Sequence, residues 1–242
     1  MKSRAAKSVA QPKSDTGAAP KPVLANVLAD LRRRASKQYR ADMTTRYGIV
    51  TRAEVYGTPM AQLKLVAKKI GRDHTLAKQL WASGVHDARM LATLVEDPVS
   101  VTAAQMDRWA RDFDNWAIVD TVTFNVFDRS LHAFPQIQKW AKAKDEFVKR
   151  AAFALLASCA LHGHGNEGDH SRGLTLIERE AQDPRKFVKK GVSWALRAYA
   201  SSKSAKVRRA ARGLAQRLAQ SSDPTARWLG KDALKTFARV KT

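Results

Sequence analysis

The chain has 242 residues, with 44 Lys or Arg against 22 Asp or Glu, and its formal charge of +22 is spread along its length. Such an excess repels itself unless a polyanion is present, so a phosphate backbone is the first partner class to consider and a membrane surface the second. The membrane loses ground because no apolar run approaches the ~20 residues of a spanning helix, MKSRAAKSVAQPKSD lacks the apolar stretch of a secretory signal, and one cysteine, Cys159, suits a reducing cytosol.

Residues 1–22 are Lys, Ala, Ser and Pro with almost nothing large and apolar, the composition of a disordered basic arm. From Val23 to the end the chain reads as a single domain. The 3.6-residue pattern predicts helices over 23–38, 59–70, 74–82, 86–96, 102–112, 116–128, 134–143, 146–161, 171–182, 186–200, 204–219 and 223–239, with no strand pattern competing. Gly57-Thr58-Pro59 places proline at a helix start, and Asp97-Pro98, Asp183-Pro184 and Asp223-Pro224 mark loops or further starts.

Two segments set the architecture. EFVKRAAFALLASCAL (146–161) aligns without gaps on KFVKKGVSWALRAYAS (186–201), and looser echoes occur at HDARMLATLV (86–95) and ARWLGKDALKTF (226–237). The offset of 40 residues is close to the ~40–47 of HEAT-type helix pairs. The expectation is an all-α, HEAT-like solenoid whose second helices line a basic concave groove. Val148, Ala152, Leu156 and Cys159 match Val188, Val192, Leu196 and Tyr199 as the core stripe, while Arg150, Ala154 and Ala157 match Lys190, Trp194 and Arg197 on another face. A basic residue recurs at one place in successive repeats, and Arg89 and Lys231 extend the series.

Two further features stand out. Trp194 is flanked one turn either side by Lys190 and Arg197, which suits either an indole on the groove or one packed under the next helix. In FDNWAIVDTVTFNVFD, Asp120 is the only charge between Asp114 and Asp128, and Trp116 precedes it by one turn. A carboxylate in such apolar company is costly unless paired, either by Arg150 or Lys149 on a neighbouring helix or by a cationic substrate. Aromatic faces attract positive charge, and a preorganised carboxylate stabilises an oxocarbenium-like sugar.

FDNWAIVD, EFVKRAAFALL and FVKKGVSWALRAYA resemble the AlkD-like DNA alkylation repair family of HEAT-like DNA glycosylases, over a span from about Tyr47 to Phe237. The resemblance implies hydrolysis of the N-glycosidic bond of cationic alkylpurines such as 3-methyladenine and 7-methylguanine in duplex DNA, by a cytoplasmic, nucleoid-associated monomer that neither flips the base nor needs a cofactor. It makes Trp116 and Trp194 the groove tryptophans and Asp120 the carboxylate that stabilises the sugar cation. Arg150 and Arg197 become phosphate or active-site contacts, with Lys149, Lys189, Lys190, Arg89 and Lys231 as further DNA contacts and Tyr47 (in RYGI) as the N-terminal aromatic. Where family members often carry tandem aromatics, this chain has Asn115-Trp116. Related HEAT-like proteins bind DNA without glycosylase activity, so a non-catalytic reader of distorted or branched DNA is the alternative, followed by a scaffold for a protein or RNA partner.

Other residues carry blander expectations. LHGHGNEGDHS, with His162, His164, Glu167, Asp169 and His170, matches no standard metal spacing and reads as a polar inter-helix loop, so no metal is expected. His74 and His86 fall at helix starts as surface or capping groups, Cys159 reads as buried packing, and Trp81, Trp109, Trp140 and Trp228 fall on apolar stripes.

Overall fold

The computed structural model describes residues 23–240, so the expected basic arm at 1–22 lies outside the described residues. Among them are thirteen α-helices and no strand: α1 (Leu24–Arg33), α2 (Lys37–Thr45), α3 (Met60–Ile70), α4 (His74–Ala82), α5 (His86–Val95), α6 (Ala103–Ala110), α7 (Trp116–Asn125), α8 (Ala133–Trp140), α9 (Glu146–His162), α10 (Glu167–Arg179), α11 (Lys186–Ala198), α12 (Ala205–Ala219) and α13 (Pro224–Arg239). One isolated parallel bridge joins Glu54 to Val85. None of these helices is long and apolar enough to cross a membrane.

The helices form an all-helical repeat. α3, α5, α7, α9, α11 and α13 pack successively into one row, while α8, α10 and α12 follow one another in a second, and α4–α5, α8–α9 and α12–α13 pair between the rows. The 40-residue repeat therefore marks adjacent helices of one row, α9 and α11. Ala152, Leu156, Cys159, Val188, Val192, Leu196 and Tyr199 are all fully buried, whereas Val148 is only half-buried.

Local chemistry sets the boundaries. Ser36, Asp73, Thr102, Asn115, Asp145, Asn166, Ser204 and Asp223 each cap a helix by accepting backbone N–H groups. The stretch expected as one helix over 23–38 ends at Arg33, and Ser36 starts a second helix, α2, that the apolar pattern does not reveal. The expected helix over 116–128 ends at Asn125, and a 3₁₀ turn follows at Phe127–Arg129. α10 starts at Glu167 rather than 171, absorbing half of the expected polar loop.

Trp81, Trp109 and Trp140 are buried as expected. Trp81 and Trp109 stack in parallel with centroids 4.0 Å apart, and the indole N–H groups of Trp81 and Trp140 donate to Asp112 and Asp107 at 2.8 and 3.0 Å. His86, expected at the surface or as a cap, is instead only 5% exposed, and burial pushes its imidazole below its ordinary value. Burial also pushes the Cys159 thiol far above its ordinary range, as suits an inert packing residue.

Asp87 fastens the N-terminal helices to the row. Its buried carboxylate accepts the backbone N–H groups of Tyr56, Gly57 and Thr58, fixing the turn that leads into α3. Gly57 has a φ of +92°, and a Cβ there would lie 2.7 Å from Arg40 Cβ and 2.9 Å from the Ser36 carbonyl oxygen. Asp87→Ala leaves three donors to re-solvate, so it should cost about 3 kcal/mol of unfolding free energy, measurable by urea titration.

Candidate functional site

α7 begins with the two residues that matter most. Asn115 caps it, its side-chain oxygen accepting from Ala117 N and Ile118 N, so asparagine here is a helix-starting device. Trp116 is then the first helical residue, and its indole N–H donates to the Tyr47 carbonyl at 3.2 Å. Tyr47 follows α2, whose Met43 packs with Ile49 and Ala117 beside Trp116. Thus α2 holds Tyr47 against the start of α7.

One turn along α7, Asp120 faces Arg150 of α9. The guanidinium binds both carboxylate oxygens, Nε to Oδ1 at 3.0 Å and Nη2 to Oδ2 at 2.7 Å, and its Nη1 donates to the Phe187 carbonyl at 3.0 Å. Arg150 thereby stitches α7, α9 and α11 together and is only 6% exposed. Burial pushes the Asp120 carboxyl above the usual carboxylate value, an effect that the Arg150 charge and hydrogen bonds oppose.

Asp120, Arg150, Tyr47, Trp116, Lys190, Trp194 and Arg197 all line one cleft of ≈ 730 Å³. The Trp194 indole is half-buried there rather than lost beneath a helix. The same cleft holds residues not anticipated as site residues: Lys186, Phe187, Ser193, Trp228 and Asp232. Trp228, expected in the core, is 41% exposed on the wall, and Lys189 Nζ lies 4.8 Å from its ring centroid. Asp232 accepts from Ser193 Oγ at 2.6 Å and lies 3.3 Å from Arg197 Nε. That last pair is within ion-pairing distance but misaligned, leaving the buried Nε of Arg197 without a hydrogen-bond partner. Four cations, Lys186, Lys190, Arg150 and Arg197, thus share the cleft with two acids.

The other expected contacts lie outside the cleft lining. Lys149 is drawn the other way, into Glu180 at 2.6 Å and Asp183 at 3.5 Å. Arg89 donates to the Trp81 carbonyl and pairs with Asp112 at 3.6 Å. Lys231 is exposed on α13, but its neighbour Asp232 is the residue that enters the cleft. Lys149 and Arg89 are thus held by acids of other segments, whereas Lys231 is set beside the lining residue by helical register, adjacent residues pointing about 100° apart around the axis.

A cleft with two carboxylates, three indoles and more cations than acids can hold a polyanion while presenting aromatic and negative surface to a developing positive charge.

One solved structure is of a protein from a family related to the HEAT-like repeat DNA glycosylases with affinity for branched DNA structures. It is 19% identical, covers 88% of this chain and 94% of its own, and superposes with a TM-score of 0.70, a likeness of fold. A designed armadillo repeat protein in complex with a (KR)4 peptide is 14% identical over 88% of this chain and 99% of its own, with a TM-score of 0.43. No curated protein gives a significant match. The DNA alkylation repair enzyme family matches residues 27–237, nearly all of the described chain, and the protein therefore belongs to that family.

Proposed function

We propose that the protein is a monomeric, monofunctional DNA glycosylase that hydrolyses the N-glycosidic bond of positively charged alkylpurines, 3-methyladenine and 7-methylguanine, in duplex DNA. The observation that carries this reading is that Asp120 lines one basic cleft together with Trp116 and Trp194. An anion-binding groove gains nothing from a carboxylate at its centre unless a positive charge has to be met there. A cationic base is already a good leaving group, so no strong general acid is required. The carboxylate then stabilises the sugar cation and orients the attacking water, while Lys186, Lys190 and Arg197 take phosphates. A cleft that opens along the helix row suits attack at the deoxyribose without drawing the base into a deep pocket, and the role needs no cofactor.

One observation favours a second reading, a non-catalytic protein that recognises distorted or branched DNA. Arg150 occupies both oxygens of Asp120 in a fork-to-fork pair, as a purely structural ion pair would. The deciding experiment is release of free base from duplexes carrying 7-methylguanine or 3-methyladenine. Release supports the glycosylase, whereas salt-sensitive binding of both duplexes without release leaves the binding protein.

The pH dependence of release carries its own expectation. A carboxyl whose folded value is raised is protonated before its unfolded counterpart, so the active anion is lost as pH falls, starting above the ordinary aspartate value of ~3.9. Conversely, its ionisation costs stability as pH rises through that window. The acid limb of single-turnover release should therefore lie above pH ~3.9 and move still higher in Arg150→Gln, which removes the groups that hold the value down. An acid limb unmoved by that substitution would detach the limb from Asp120.

A further inference from the structure

At the far end of α7 and α9 from the cleft, three side chains converge that neither the repeat nor the proposed chemistry uses. Asp128 lies in the 3₁₀ turn Phe127–Arg129, its side chain fully buried. Its Oδ2 is hydrogen-bonded to His162 Nδ1 and lies 3.6 Å from His164 Nε2, while its Oδ1 is buried without any hydrogen-bond partner. One potential ligand atom from each residue lies within 4.8 Å of the others.

The backbone is shaped to bring the second histidine round. His162 is the last residue of α9, and Gly163 and Gly165 follow with φ of +75° and +89°, the left-handed region that favours glycine. A Cβ at Gly165 would lie 2.3 Å from the Phe134 ring, so this turn is closed to other residues without rearrangement. The acids and histidine grouped with His162 and His164 on sequence are engaged elsewhere. Asp169 forms the α10 capping box with Asn166, Glu167 bonds Ser204, and His170 packs between Phe134 and Tyr199.

We propose that Asp128, His162 and His164 bind a divalent transition-metal ion of the Zn²⁺ type. Two imidazoles and a carboxylate form an open three-ligand set for such an ion, and His164, 39% exposed, leaves the fourth position to water. In a tetrahedral site with ~2.0–2.2 Å bonds, ligand atoms lie about 3.4 Å apart, close to the spacing of His164 and Asp128. The hydrogen-bonded His162–Asp128 pair has to open to that spacing. The proton on His162 Nδ1 then moves to Nε2 or leaves to solvent, and the nitrogen lone pair and a carboxylate oxygen coordinate the metal. A buried carboxylate with one unpaired oxygen is expensive, and the cation supplies the missing compensation.

His162 follows Arg150 by twelve residues of one helix, roughly 18 Å at 1.5 Å per residue. The ion therefore stands clear of the cleft and fastens the end of α7 to the α9–α10 turn. Tag-free, chelator-treated protein titrated with Zn²⁺ by calorimetry should take up one ion per chain and gain thermal stability, and Co²⁺ should give the visible absorption of a tetrahedral site. His164→Ala, at a half-exposed loop position, should fold and melt like the metal-free protein, lose the zinc-dependent gain and weaken binding by about tenfold or more. Equal zinc affinity in wild type and His164→Ala, or no zinc binding and no thermal shift in wild type, overturns the proposal and leaves a histidine–aspartate ion pair.

Discussion

Asp120→Asn should slow base release from a 7-methylguanine duplex by about 10²- to 10³-fold, the usual range for deleting one preorganised electrostatic partner of a transition state. Asparagine keeps the shape and one acceptor oxygen but removes the charge that the sugar cation meets. The same change takes from the nearly buried Arg150 guanidinium its counter-charge and one of its two acceptors on residue 120. Removing one partner of such a pair typically costs ~3–5 kcal/mol, with the lower end apt here because Asp120 keeps some solvent contact. Loss of activity and loss of fold must therefore be separated. Asp120→Asn combined with Arg150→Gln removes both charges at once, so stability should recover toward wild type while release stays slow. If release recovers together with stability, Asp120 is a structural ion-pair partner and the cleft has no catalytic carboxylate.

How this site could be read from the sequence depends on how each residue is held. Asp120, Trp116 and Trp194 were legible as residues of one face because helical spacing alone puts two of them on one side of α7, and the 40-residue repeat puts the third on α11, a helix of the same row. Arg150 was legible as both a cation of the groove face and a partner for Asp120, and the structure uses it as that partner. Tyr47 was placed by resemblance alone. Its support, α2, has the sequence KQYRADMTT with only Met43 buried, so it leaves no apolar period, and the Ser36 cap was its single local signal.

The residues that lie away from their expected places do so for two other reasons. Trp228 sits beside the buried Leu229 on α13, and Lys231 beside the cleft residue Asp232. The stripe that includes Ala226, Leu229 and Ala233 fixes the core face, but a neighbouring residue at its edge falls on either wall according to how α13 is rotated against α12 and α11. Lys149 and Arg89 were lost from the groove to acids that lie far from them in sequence, Glu180, Asp183 and Asp112, and periodicity carries no information about such pairing. Among the described cations, charge counting thus identifies a basic surface but not which of its members are held in ion pairs.

The rotation of α13 rests on one glycine, and Gly230→Ala should be the most damaging single methyl in the C-terminal pair. A Cβ at Gly230 would lie 2.2 Å from Ala219 N, 2.6 Å from the Ala215 carbonyl oxygen and 2.7 Å from the Leu218 carbonyl carbon. All three are backbone atoms of α12, so no rotamer change relieves the clash and the helices must separate. Overpacking of this kind costs about 3 kcal/mol, outweighing the ~1 kcal/mol that alanine gains over glycine in a helix. α13 packs mainly against α11 and α12, so its displacement should carry Trp228 and Asp232 out of the cleft and weaken DNA binding while α7 and α9 stay packed. Gly213→Ala on α12 is the matched control, because its added Cβ would meet only the far end of Arg217 at 3.9 Å. Thermal unfolding of the two variants side by side should show Gly230→Ala well below wild type and Gly213→Ala at or above it. Equal melting temperatures would mean that α12 and α13 do not approach this closely, and the placement of Trp228 and Asp232 on the cleft wall would fall with that contact.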